Sequence, residues 1–238
     1  MKKIFAVILS IVLVLSLGST AFAGLESDGT LTFSSVDLEG KPVTEEIFKD
    51  NKLTLVNFWE AWCYWCVKEL PTLVELCDTY SGEGFGMLGV SYAETYYYCD
   101  NSGYSEDMEI YDGEEETPDI AAEYGLQYPT VFFNEDFESI DSYAGNAIAR
   151  PQLFLVDSEG KMIQPSEEDW YNIFDTYNDI ICSAYDVEPL SNEEIEENVS
   201  GIMASVYDED DEDMVNHFEV CQHDFYEWCA IVEYYLNK

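Results

Sequence analysis

Asn57-Phe58-Trp59-Glu60-Ala61-Trp62-Cys63-Tyr64-Trp65-Cys66-Val67-Lys68-Glu69-Leu70-Pro71 is the stretch on which the reading of this chain turns. Apolar Leu53, Leu55, Val56 and Phe58 lead into it and predict a buried strand, and a helical pattern follows. Cys63 and Cys66 therefore stand where a strand hands over to a helix. A helix N-terminus offers unpaired N–H groups and a positive dipole end, and both stabilise a thiolate. The two intervening residues let the second sulfur turn back on the first and close a small disulfide. A C-x-x-C can also be half of a zinc site, but zinc takes further ligands at spacings this chain lacks. The pair reads as a redox site, without a metal.

The chain has 238 residues, enough for one ordinary domain with an appendage or for two small domains. Residues 1–23 read as a signal peptide: Lys2 and Lys3 are basic, Ile4 to Leu17 is apolar, and Ala21-Phe22-Ala23 is a small-x-small cleavage site. The apolar run is shorter than the about 20 residues of a comfortable span, although an uncleaved anchor is the alternative. No cysteine closely follows it, which argues against a lipid-anchored precursor. The expectation is export and release, to an extracytoplasmic location that permits disulfides. Seven cysteines remain after cleavage, so at least one lacks a partner within the chain.

Acidic residues number 50 against nine basic ones. Nucleic acid and anionic membrane surfaces repel such a chain. The run Asp208-Glu209-Asp210-Asp211-Glu212-Asp213 lacks the alternating ligands and central glycine of an EF-hand loop, and reads as a solvated linker.

Along the chain, Leu31–Leu38 reads as an irregular strand ending in the turn Glu39–Pro42. Val43–Phe48 reads as a helical turn, Leu53–Phe58 as a strand, and Cys63 to about Tyr80 as a helix kinked at Pro71. Met87–Ser91 is a second buried strand, and residues 95–116 look like an inserted loop. Thr117-Pro118 has the chemistry of a helix start, with Gly125 as its end. Tyr128–Phe133, Leu153–Val156 and Lys161–Ile163 are strand candidates. Ser166–Asp169 fits a capping box before the stripe Trp170, Ile173, Phe174, Tyr177, Ile180 and Ile181. A second box at Ser191–Glu194 precedes Ile195, Val199, Ile202 and Val206. After the acidic run, Met214, Phe218, Cys221, Phe225, Trp228, Val232 and Tyr235 form a helical seam. The element order implies an α/β fold with a mixed central sheet.

At this point the residues carry a resemblance. Leu53 through Pro71 is similar to the thioredoxin superfamily, and most resembles the exported TlpA/ResA-type thiol–disulfide oxidoreductases. Asp37–Val43 resembles that branch's N-terminal hairpin, Cys66-Val-Lys-Glu69-Leu-Pro71 its helix start, and Gly86–Ser91 its next strand. Arg150-Pro151-Gln-Leu-Phe-Leu-Val-Asp-Ser-Glu-Gly-Lys161 resembles its cis-proline strand and turn. The resemblance covers roughly residues 31–183 and implies a thioredoxin-like fold, a mixed sheet flanked by helices, for a domain over residues 24–187. Residues 188–238 are left as an acidic helical C-terminal extension.

The resemblance also implies roles. Cys63 is the exposed nucleophile and Cys66 the buried resolving thiol, while Glu69 lies near them and influences their proton transfers. Pro151 is the cis-proline that offers a backbone edge to substrate; Pro129 is the rival for that position. Departures from the family are Tyr64-Trp65 between the cysteines, where a proline usually precedes the second, and Asn57 in place of a buried aspartate. Trp62 flanks the pair, and Arg150, the chain's only arginine, would favour a Cys63 thiolate if it lay beside it. No cofactor is needed beyond the cysteine pair, and C-x-x-C-H for haem is absent. The implied partners are disulfide-containing exported proteins and a membrane-embedded thiol donor; oligomeric state is left open.

The implied activity is thiol–disulfide exchange, tilted toward reduction. Two alternatives stand beside it. A peroxiredoxin needs a threonine three residues before its cysteine, where this chain has Glu60. A non-catalytic module binding partners through its acidic surface has no need of both cysteines. Of the remaining thiols, Cys182 could staple the tail through Cys221 or Cys229. His217 and His223 are not spaced as a helical zinc pair.

Overall fold

The computed structural model describes residues 24–25, 29–97, 109–138, 151–185 and 225–238. Strands β1 (Gly24–Leu25) and β2 (Leu31–Thr32) pair antiparallel, as do β3 (Ser34–Val36) and β4 (Pro42–Thr44). Between β3 and β4 the Asp37 carboxylate accepts from the backbone N–H groups of Glu39 and Lys41, and Gly40 takes a positive φ of 80°. The same Asp-x-Glu-Gly-Lys sequence recurs at Asp157–Lys161 and folds the same way, with Gly160 at 81°. Only glycine adopts that backbone without strain. The helical turn expected from Val43 starts later, as a 3₁₀ turn Glu45–Asp50 capped by Thr44.

Strand β5 (Leu53–Trp59) runs into helix α1 (Tyr64–Tyr80), which is followed by β6 (Phe85–Ser91). Helix α1 continues through Pro71, which leaves the Val67 carbonyl without its usual donor. The segment expected as an inserted loop contains an antiparallel hairpin of β7 (Glu94–Tyr97) and β8 (Glu109–Asp112). Helix α2 (Gly113–Tyr124) begins four residues before the expected Thr117. Asp112 is the cap, accepting from the Glu115 N–H, and Glu114, Glu115 and Glu116 suit the positive end of the helix dipole. Thr117 is instead fully buried and its hydroxyl meets that of Ser91 at 3.0 Å.

Strands β9 (Thr130–Phe132) and β10 (Gln152–Asp157) complete a four-stranded mixed sheet in the order β10-β5-β6-β9. β5, β6 and β9 are parallel, and β10 is antiparallel to β5. The strand expected at Lys161–Ile163 is reduced to isolated bridges, Val156 to Met162 and Thr30 to Lys161. Helices α3 (Glu167–Tyr185) and α4 (Phe225–Asn237) close the described structure.

Every residue of β5 is buried, because both faces of the sheet are covered. Val56, Phe58, Leu88, Val90 and Phe154 pack with Phe33, Phe48 and Phe137 from the N-terminal strands and the 3₁₀ turns. Leu53, Leu55, Met87, Leu153 and Leu155 pack on the other side with Leu73, Leu76, Ile173 and Trp228 from α1, α3 and α4. The C-terminal helix thus shares the main core, and packing draws no boundary between it and the rest. A reciprocal Ser166–Asp169 cap starts α3, as the sequence predicts. Asp169 also accepts from the Tyr234 hydroxyl at 2.5 Å and pairs with Lys238. Burial opposes its charge, but these hydrogen bonds outweigh it and hold the carboxyl below the ordinary range.

The staple from Cys182 to Cys229 is not formed: both residues are thiols, and Cys182 lies 3.6 Å from Asn178 Oδ1. Cys221, the second box at 191–194, the acidic run, both histidines, Arg150 and residues 1–23 lie outside the described residues.

Candidate active site

Helix α1 begins at the site because Cys63 is its cap. Cys63 has extended backbone (φ −77°, ψ 104°), its N–H reaches the Glu60 carbonyl, and its Sγ accepts from the Cys66 N–H at 3.3 Å. A sulfur held by a helix N-terminal N–H is favoured as an anion. No acidic residue occupies the first turn of α1, which in so acidic a chain keeps opposing charge out of that turn. Cys63 and Cys66 are joined as a disulfide, their Cα atoms 5.2 Å apart.

The expectation of an exposed Cys63 needs correcting. Cys63 is only 6% exposed against 1% for Cys66. The bond to Cys66 draws its sulfur into a small cluster with Trp59 and Leu70. The order of exposure is as expected; its size is not.

Around the disulfide, Trp62, Tyr64 and Trp65 are all exposed, Tyr64 by 69%. Tyr64 and Trp65 meet edge to face with ring centroids 5.2 Å apart, and Lys68 lies over the Trp65 ring. Pro151 is buried and directly precedes Gln152, which pairs with Phe58 near the end of β5. Pro129 precedes β9, separated from β5 by β6. Sheet order therefore places Pro151, and not its rival, beside the strand that ends at the cysteines.

Glu69 lies one turn beyond Cys66 on α1, and both its carboxyl oxygens are closed off from solvent. Neither meets a donor at regular hydrogen-bonding geometry among the described residues. Burial pushes its pKa up to about 8, partly offset by the indole N–H of Trp228. Tyr128 is buried, and burial holds its hydroxyl above the ordinary tyrosine range. Glu69, Asn57, Tyr128 and Trp228 all have polar side-chain atoms closed off from solvent. Buried polar groups are costly, and one whose proton is shifted toward neutral pH suits proton transfer.

One consequence can be checked directly. Between pH 4.5 and about 8 the folded protein holds on Glu69 a proton that the unfolded chain has released. Stability must then fall as pH rises through that window. Urea unfolding of oxidised wild type is expected to lose on the order of 4 kcal/mol between pH about 5 and 9, relative to Glu69→Gln. Parallel pH profiles for the two proteins contradict the assignment.

Asn57 and Glu69 are legible in the sequence, but Tyr128 and Trp228 are not. Trp228 is one apolar position in a helical seam, and nothing local ties it to a carboxylate on α1.

A family model described as the AhpC/TSA family matches residues 28–164. The thiol-disulfide oxidoreductase ResA of Bacillus cereus is 30% identical over 175 residues, which cover 69% of this chain and 88% of that protein. ResA of Bacillus subtilis is 26% identical over 162 residues, covering 65% and 78%. Among solved structures, the thioredoxin domain of a thiol-disulfide oxidoreductase from Bacteroides vulgatus is similar at 27% identity. It covers 58% of this chain and 86% of its own, with a TM-score of 0.42.

Proposed function

We infer direction and setting from one premise: the chain belongs to the AhpC/TSA family and is a thiol–disulfide oxidoreductase of thioredoxin-like fold. Its reading is reduction of disulfides in extracytoplasmic proteins. The observation that carries the exchange chemistry is the Cys63–Cys66 pair at the N-terminus of α1, with the Cys63 sulfur on the Cys66 N–H, and the likeness to ResA tilts its direction toward reduction.

In the reducing direction the Cys63 thiolate attacks one sulfur of a substrate disulfide, and the other substrate sulfur leaves as thiolate. Cys66 gives up its proton and attacks Cys63, which releases the second substrate thiolate and closes the internal disulfide. Two electrons pass to the substrate. Pro151, beside the end of β5, serves as the edge on which the substrate backbone lies, and the exposed Trp62, Tyr64 and Trp65 hold its side chains. The export reading rests on the composition of residues 1–23. A membrane-embedded thiol donor then returns the electrons.

The peroxidase reading is the weaker one. Glu60 stands where a peroxidase needs a threonine hydroxyl, and Cys63 is already paired with a near neighbour.

A redox titration tests direction. A midpoint at or below about −220 mV is expected of a reductant, whereas one near about −120 mV belongs to an oxidant and overturns the reading.

A further inference from the structure

An exposed stripe runs down α1 from the redox pair. Tyr64, Lys68, Pro71, Glu75 and Asp78 recur in steps of four and three, which puts them on one face of the helix, and all five are exposed. The far half of this stripe borders a groove of about 560 Å³ between α1 and α2. Pro71, Val74, Glu75 and Asp78 line it from α1, and Glu123 and Tyr124 from α2. Tyr124 also packs against the cluster that holds Cys63 and Cys66, which makes the groove continuous with the redox site.

Val74 and Tyr124 are half-buried, whereas Glu75, Asp78 and Glu123 are exposed. None of these three carboxylates meets a cation among the described residues, and no lysine or arginine lines the groove. The one cation of the stripe, Lys68, lies over the Trp65 ring at the redox end, 4.7 Å from its centroid. Among the described residues no three acidic, histidine or cysteine side chains are grouped so as to hold a metal ion. Carboxylates spread along a partly apolar groove suit lysine and arginine instead, whose aliphatic stems cover apolar surface while their charged heads reach the acids.

We propose that this groove docks a basic segment of the substrate polypeptide while the substrate disulfide lies at Cys63. The chain then selects disulfides flanked by lysine or arginine. The proposal rests on the reading of Cys63 and Cys66 as the exchanging pair. At ~1.5 Å per helical residue, Glu75 and Asp78 lie about 18 and 22 Å from Cys63 along the axis. An extended chain covers about 3.3 Å per residue, so the favoured basic residues lie about five to seven positions from the substrate cysteine. The net charge of −41 attracts any cationic polypeptide at long range, but that attraction is indifferent to position.

The test mixes the reduced full chain with disulfide-bonded peptides of equal length and equal charge. One carries a pair of arginines six and seven residues from its cysteine, the other carries the pair thirteen and fourteen residues away. The value of kcat/KM is expected to be about fivefold higher for the near pair, through KM. Neutralising the groove together, by Glu75→Gln, Asp78→Asn and Glu123→Gln, is expected to abolish that difference. Equal rates for the two peptides in wild type leave only long-range attraction and overturn the proposal. A preference that survives in the triple variant overturns it as well. If wild type reduces neither peptide, the exchange reading fails, and the groove is tested by binding alone. The near-arginine peptide, with serine for cysteine, is titrated against both proteins by calorimetry. Binding about fivefold weaker in the triple variant supports the groove, and equal binding overturns it.

Discussion

Cys63→Ser is expected to reduce thiol–disulfide exchange to the uncatalysed background, and Cys66→Ser to stop it halfway with substrate bound covalently to Cys63. The two effects differ because the two sulfurs differ in place. The Cys63 sulfur accepts the Cys66 N–H at the helix start and is the less buried of the pair. A serine hydroxyl there is not ionised near neutral pH and cannot attack a disulfide. Cys66, 1% exposed, is buried in one cluster with Cys63, Trp59 and Leu70. Its replacement removes the thiol assigned to resolve the mixed disulfide. Non-reducing electrophoresis and mass spectrometry of the two variants, challenged with a disulfide-bonded polypeptide, check both outcomes. Equal adduct formation by both variants contradicts the assignment of attacking and resolving roles.

Phe58→Ala is expected to cost about 3–5 kcal/mol of folding free energy, a large share of what a domain has. Phe58 is fully buried on β5, with ring centroids of Phe154, Phe137 and Phe133 at 5.7, 5.9 and 6.5 Å. Those partners belong to β10 and to the segment after β9, so their backbones cannot collapse together into the hole. By contrast, Tyr64→Ala removes a side chain that lies mostly in solvent and should change stability by less than about 0.5 kcal/mol. Urea denaturation of both variants supplies the comparison. A loss below about 1 kcal/mol for Phe58→Ala contradicts the packing described for that face.

The central strand and helix are legible in the sequence because their signals are local. A largely apolar run reads as β5, and the spacing of Leu70, Leu73 and Leu76 reads as the buried face of α1. The Ser166–Asp169 cap and the glycine turns are equally local. The start of α2 misleads because two caps compete: Thr117 has the right chemistry, but its hydroxyl is used by Ser91 across the core. The stretch 161–163 has a strand's composition yet keeps only bridges. At the site, Cys63 and Cys66 can be read from their spacing at the start of α1, and Glu69 from the family resemblance. Trp228 and Tyr128 join Glu69 only when distant elements pack, and burial, which no motif records, is what shifts its proton.

Exchange itself is the central claim, and electron transfer between purified partners tests it most directly. Fully reduced protein is mixed with one equivalent of a disulfide-bonded polypeptide, and thiols on both are counted after alkylation. The account predicts that Cys63 and Cys66 become unlabelled together, joined to each other, while the polypeptide gains two thiols. Cys63 and Cys66 remaining labelled with the polypeptide unchanged, or Cys63 oxidised while Cys66 stays a thiol, contradicts it.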